Sequence, residues 1–165
     1  MPMLYRKSSP SHREPLAELH DAALRLLARR EHSVFELHHK LRQRGFAPAV
    51  IDAVLQQLVA EDWLNDSRYA EVYAHSRADK GYGPLHIQRE LCERGVSEEI
   101  ITAALNPLKD FWMPRLAALY RKRFAGVRPG DAAGQAGQLR FLRQRGFTLE
   151  QINSLFKSSE TLPRS

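Results

Sequence analysis

The hexapeptide Leu41-Arg42-Gln43-Arg44-Gly45-Phe46 returns unchanged as Leu142-Arg143-Gln144-Arg145-Gly146-Phe147, and a looser copy, Leu91-Cys92-Glu93-Arg94-Gly95-Val96, stands between them. Their glycines are 50 and 51 residues apart, about a third of the chain. A period of that length restricts the fold to one supersecondary unit used three times, because each copy carries an apolar face that it cannot cover alone. The letters also say what the unit is made of. A leucine-bearing segment that ends in glycine reads as a helix stopped by a left-handed residue, with Phe or Val folding back onto the helix it follows.

Around these stops the helices can be placed in order. Residues 1–14 hold two prolines and three serines without periodicity and read as a flexible arm. The first unit covers residues 15–64. A helix is expected from Pro15 to Arg30, with Leu16, Leu19, Ala23, Leu26 and Leu27 at helical spacing. Ser33 and Glu36 form a capping box for the next helix, whose stripe is Val34, Leu37 and Leu41. Pro48 opens a third, apolar in the pairs Val50-Ile51, Val54-Leu55 and Leu58-Val59.

The second unit, residues 65–106, starts at an expected N-cap on Asp66 and turns Tyr69, Ala70, Tyr73 and Ala74 inward. After the loop Lys80-Gly81-Tyr82-Gly83-Pro84 comes a helix with Ile87 and Leu91, then one capped by Ser97. The pairs Ile100-Ile101 and Ala104-Leu105 stand at the same distance from Gly95 as Val50-Ile51 and Val54-Leu55 do from Gly45. The third unit, residues 107–157, opens with a helix carrying Met113, Leu116, Ala117, Tyr120 and Phe124. Residues 126–137 contain four glycines and a proline, which makes this the loosest connection. A second helix holds Leu139 and Leu142. Thr148 and Gln151 form another capping box before Ile152, Leu155 and Phe156, and residues 158–165 form a tail. No segment alternates with period two, so the fold class is all-α: three tandem three-helix repeats.

Composition narrows the function. An apolar fraction of 43% with 27% charged residues belongs to a folded protein. No apolar run approaches the roughly 20 residues that cross a bilayer. The polar first 15 residues lack a secretion signal, so the cytoplasm is the default location. A single cysteine, Cys92, rules out an internal disulfide and a thiolate metal cage. The formal charge of +6 is unevenly placed. Residues 1–106 hold 14 Lys and Arg against 15 Asp and Glu, a net of −1, whereas residues 107–165 hold 11 against 4, a net of +7. A basic segment beside a near-neutral one points to a nucleic acid or an acidic protein surface.

Nothing in the sequence marks a catalytic, cofactor-binding or metal-binding residue. His38 and His39 are adjacent and diverge on a helix, and His32, His75 and His86 lack metal-ligand spacing. Cys92 has no base placed to activate it. Gly81-Tyr82-Gly83 is too short for a phosphate-binding loop and follows no strand. A basic edge does recur: Lys40, Arg42 and Arg44 around the first glycine, Arg89 and Arg94 around the second, Arg140, Arg143 and Arg145 around the third. Cations at a helix C-terminus answer its dipole, which accounts for Arg44, Arg94 and Arg145 without a partner. That explanation does not reach Arg115 or the run Arg121-Lys122-Arg123. These eleven cations, Arg42 through Arg145 without Lys40, are the candidate contacts for a partner protein or DNA. Helix-turn-helix reading of duplex DNA is the weaker alternative, because the third helices open on Pro48-Ala49, Ser97-Glu98-Glu99 and Thr148-Leu149-Glu150 rather than on base-reading residues.

The order Ser33…Glu36-Leu37…Leu41…Arg44-Gly45-Phe46, then Leu64-Asn65-Asp66-Ser67-Arg68-Tyr69-Ala70, then Gly83…Ile87…Glu90-Leu91…Arg94-Gly95-Val96 closely resembles the RecX family, bacterial regulators of RecA. The similarity covers about residues 20–157 and is vaguest in the third unit. It implies tandem three-helix repeats in an elongated, curved molecule without enzymatic activity. It also implies binding to the RecA filament on single-stranded DNA, within its helical groove. Filament growth is thereby limited, and strand exchange, ATP hydrolysis and co-protease activity fall. Some members also bind DNA, so a stand-alone DNA-binding helical-repeat protein stays open as the alternative. A monomer is expected. The family offers no fixed catalytic residues to carry over.

Overall fold

A computed structural model describes residues 15–160. Among them lie nine α-helices in three groups of three, with no strand. The first group is α1 (Pro15–Leu27), α2 (Val34–Gln43) and α3 (Pro48–Ala60). The second is α4 (Asp66–Asp79), α5 (Pro84–Glu93) and α6 (Glu98–Leu105). A 3-10 helix (Asn106–Phe111) leads to the third: α7 (Trp112–Phe124), α8 (Ala132–Gln144) and α9 (Leu149–Glu160). The arm at residues 1–14 and most of the tail at 158–165 lie outside the described residues.

The chain divides into two compact units after Leu64. In the first, Leu19, Ala23 and Leu26 of α1 meet Leu37 and Leu41 of α2 and Ile51, Val54, Leu55 and Leu58 of α3. Helix α1 ends at Leu27 rather than at Arg30. Ser33 Oγ accepts the Glu36 N–H at 3.1 Å. The Glu36 carboxylate is bound by the Arg30 guanidinium, with Arg30 Nη1 at 3.1 Å from Oε2.

His32 is buried beside this cap, 1% exposed. Its Nδ1 lies 3.0 Å from the Arg30 carbonyl and its Nε2 3.0 Å from Lys40 Nζ. A carbonyl can only accept and an ammonium can only donate, so the ring is neutral, with its proton on Nδ1. Burial first, and then the charges of Arg30 and Lys40, push the imidazole below its ordinary value of 6.5. A lowered pKa favours the neutral form in the folded state, so this stability is present above pH 6.5 and lost as pH falls below it. Urea unfolding followed at pH 7.5, 6.5 and 5.5 should show the first unit weakening on acidification. The slope should approach, at most, about 1.4 kcal/mol per pH unit. His32→Gln should flatten that slope, and an unchanged slope in the variant would assign it to another group.

The second unit has one core for both remaining groups. Tyr69, Ala70, Ala74 and Ala78 of α4, Ile87 and Leu91 of α5 and Ile101 and Ala104 of α6 join Leu116 and Tyr120 of α7, Leu142 of α8 and Ile152 and Phe156 of α9. The sequence suggests a junction at Asn106-Pro107. There α6 gives way to the 3-10 helix, which sends Leu108 into the shared core, and α7 follows with Trp112. Apolar spacing shows that each helix has a buried face but not which neighbours cover it.

Two further differences are local. Asn65, not Asp66, caps α4, its Oδ1 accepting the Arg68 N–H at 3.0 Å. Asp66 becomes the first helical residue, where its charge faces the positive end of the dipole. Helix α8 begins seven residues before Leu139, because Asp131 Oδ2 accepts the Gly134 N–H at 3.0 Å. The preceding connection is tied down by α8 itself. Gln135 Nε2 donates to the Pro129 carbonyl at 2.9 Å, Gln138 Nε2 to the Val127 carbonyl at 2.8 Å, and the Tyr120 hydroxyl to Gln138 Oε1 at 3.0 Å. The Thr148 box is complete: Thr148 N donates to Gln151 Oε1 at 2.9 Å and Gln151 N to Thr148 Oγ1 at 3.1 Å.

Candidate functional site

Helix α7 places Arg115 and Lys122 seven residues apart, two turns along one face, with Ala118 and Leu119 between them. The end of α4 and its C-terminal turn supply Ala78, Asp79, Lys80 and Gly81 opposite. Together these residues line a groove of about 280 Å³. Arg115 Nη2 donates to Asp79 Oδ1 at 2.7 Å, and its Cζ lies 5.7 Å from the Phe111 ring centre. Arg145 Nη1 reaches the Lys80 carbonyl at 3.4 Å, which sets a fourth cation beside Gly81. Three lining cations face one exposed carboxylate over a floor of alanine and leucine. This geometry suits an anion: a carboxylate or phosphate that can take bonds from the Arg115 fork and the two lysines.

The other candidate cations are dispersed. Arg121 and Arg123 flank Lys122 but fall outside the groove lining. Arg123 lies over the rings of Phe124 and Phe141, at 5.7 and 5.5 Å. Arg140 and Arg143 are exposed on α8 and, with Ala136, Leu139 and Gln144, line a shallow concavity of about 430 Å³. Arg89 is exposed on α5, its Nη2 3.4 Å from His86 Nδ1. Arg42 and Arg44 are exposed in the first unit. Of the eleven candidates, therefore, the structure gathers Arg115, Lys122 and Arg145. It adds Lys80, which the sequence places only in a loop.

Arg94 and Arg145 are half-buried, and the reason is an internal ladder. Arg94 Cζ lies 4.8 Å from the Tyr73 ring centre, Arg77 Cζ 5.6 Å from Tyr73 and 4.6 Å from Tyr82, and Arg145 Cζ 5.0 Å from Tyr82. Each guanidinium over a ring contributes about 0.5–2 kcal/mol, more as water is excluded. The Arg77 guanidinium also grips the buried Glu90 carboxylate with two hydrogen bonds, one of them Nε to Oε2 at 2.7 Å. Burial opposes ionisation of Glu90. The Arg77 hydrogen bonds and charge outweigh it and hold the carboxyl down at about 2. Burial and that carboxylate push the Tyr73 phenol above its ordinary value. Arg77 escaped the sequence reading. Its one local signal is a position four residues after Tyr73, on the same helix face, whereas Glu90 is 13 residues away.

The junction of the second and third groups completes the geometry. Gly83 N donates to the Arg145 carbonyl at 2.6 Å and Leu85 N to the Gly146 carbonyl at 3.0 Å. The first turn of α5 thus sits on the last turn of α8. A Cβ on Gly83 would lie 2.6 Å from the Gly146 carbonyl, and one on Gly146, whose φ is +93°, 2.4 Å from His86 N. Among the described residues no group of three His, Cys, Asp or Glu could hold a metal ion, and no helix is long and apolar enough to cross a membrane. Cys92 is exposed.

Comparison with known proteins supplies the context for these features. The profile of the RecX first three-helix domain matches residues 20–58, and that of the RecX second three-helix domain matches residues 65–105. A protein named Regulatory protein RecX from Pseudomonas savastanoi pv. phaseolicola is 47% identical over 133 residues, 81% of this chain and 86% of that one. One of the same name from Halorhodospira halophila is 41% identical over 134 residues, 81% of this chain and 83% of that one. The crystal structure of RecX from Lactobacillus salivarius shares the fold with a TM-score of 0.75 at 21% identity, covering 90% of this chain and 98% of that one. With this identity sustained over most of both chains, and the first and second RecX domains matched in turn along the sequence, the chain belongs to the RecX family.

Proposed function

We propose that this protein is a non-enzymatic regulator that binds the RecA filament on single-stranded DNA and limits its growth, lowering strand exchange, ATP hydrolysis and co-protease activity. Membership of the RecX family carries the reading. The groove of Lys80, Arg115 and Lys122 supports it, because it offers acidic side chains or phosphates of a filament several convergent donors. Such contacts between partly exposed charges weaken with salt. The protein acts on this reading as a monomer in the cytoplasm.

The test is RecA filament assembly on single-stranded DNA, with ATP hydrolysis followed at 50 and 200 mM salt. The wild-type chain is expected to slow assembly, more so at the lower salt. Arg115→Glu with Lys122→Glu should weaken inhibition by roughly ten- to a hundredfold, as expected when close charge pairs of about 1.5–3 kcal/mol become repulsive. Helicity should be unchanged, since Lys122 is exposed, Arg115 is half-buried, and neither belongs to the apolar core. Unchanged inhibition by the double variant moves the contact away from the groove, and no inhibition by the wild type ends the proposal. The same proteins titrated with single- and double-stranded DNA, without RecA, distinguish the alternative: tight, sequence-dependent duplex binding would favour a stand-alone DNA-binding protein.

A further inference from the structure

The identical hexapeptides at residues 41–46 and 142–147 adopt the same stop. Gly45 N and Gly146 N each donate to the carbonyl three residues back, at 2.9 Å, and the φ angles are +91° and +93°. Their surroundings differ. Around Gly146 the first turn of α5 is seated, Phe147 is 1% exposed and Arg145 lies against Tyr82. A Cβ on Gly45 would meet nothing within 4 Å. The Arg44 and Gly45 carbonyls receive no N–H from another element among the described residues. Phe46 is only half-buried, and Arg44 is exposed.

We propose that the Arg44-Gly45-Phe46 end of α2 is a docking end for the first turn of a helix in a partner protein, one that opens on Gly-Pro behind an aromatic residue. The occupant's chemistry is read from the filled copy. The last carbonyls of a helix carry the negative end of its dipole and lack intrahelical donors, so the N–H groups that begin another helix complement them. In α5 the proline at the first position has no N–H. The donors that remain are Gly83 before it and Leu85 after it, and they meet the Arg145 and Gly146 carbonyls in that order. Glycine ahead of the proline lets the backbones approach, and Tyr82 ahead of that glycine gives the arginine a ring to lie on. The open copy presents the same two carbonyls, the same glycine and the same arginine. This inference goes beyond the proposed regulation of RecA and does not depend on it.

The experiment is a nitrogen-15 NMR titration of the full chain with a synthetic peptide of residues 79–93 carrying Cys92→Ser. Binding is expected as saturable shifts of the Arg44, Gly45 and Phe46 amides, with a dissociation constant on the order of a millimolar or tighter. Gly45→Asn keeps the left-handed backbone that asparagine tolerates and places its Cβ in open space. It should leave the melting temperature nearly unchanged and weaken peptide binding about tenfold or more through the blocked approach. A peptide with Gly83→Val should weaken likewise. The proposal is overturned by the absence of saturable shifts at residues 44–46, by shifts confined to residues 142–147, or by equal binding to the wild type and Gly45→Asn.

Discussion

A Gly146→Val variant is expected to lose about 3–6 kcal/mol of stability, measured by urea unfolding with circular dichroism, and Gly45→Val only about 1–2 kcal/mol. Both glycines sit at φ near +90°, where a β-branched residue is strained, so both variants carry that backbone cost. Only Gly146 adds a steric one. Its Cβ would stand 2.4 Å from His86 N, and backbone cannot step aside as a side chain tip can. Helix α5 would have to lift, giving up the hydrogen bonds from Gly83 and Leu85. Equal losses at the two positions would show that the α5–α8 junction is not tight.

Arg77→Ala is expected to cost about 3–5 kcal/mol, because it leaves the Glu90 carboxylate buried without its counter-ion. Two tyrosines also lose the guanidinium between them. The effect should depend on pH in a known direction. With a folded pKa of about 2 against an ordinary 4.5, the pair's contribution is complete above pH 4.5 and is lost as pH falls from there towards 2. Without Arg77, burial acts on Glu90 with much less opposition and favours its neutral form, so the gap between variant and wild type should narrow below pH 4.5. Arg77→Met with Glu90→Leu should recover most of the loss, since an apolar pair of similar volume needs no desolvation. A variant as stable as the wild type at pH 7 would mean that water already reaches the pair.

What could be read from the sequence follows from what is local. Gly45, Gly95 and Gly146 all take the left-handed backbone that the hexapeptide suggests. Ser33, Ser97 and Thr148 all cap the helices they precede, because a cap needs only a hydroxyl and an N–H three residues on. Errors begin where two neighbours compete for one role, as at Asn65 and Asp66, or where glycines hide a start, as at Asp131. The cationic groove was legible only in part. Arg115 and Lys122 share a face by helical spacing, but Lys80 joins them through the packing of α4 against α7. Arg145 reaches the Lys80 carbonyl across 65 residues of sequence. No periodicity encodes contacts of that separation.

The shared core of α4 to α9 sets how this chain can be cut and recombined. A crossover at Leu64 would exchange the α1–α3 core whole. One at Asn106, the boundary that the repeat suggests, would divide Tyr82 from Arg145, Gly83 from Gly146, and Ala104 from Leu108 and Trp112. Each half of such a chimaera would bring a surface shaped for the half it left behind. The sequence counts three modules, and only the first of them has a core of its own to take with it.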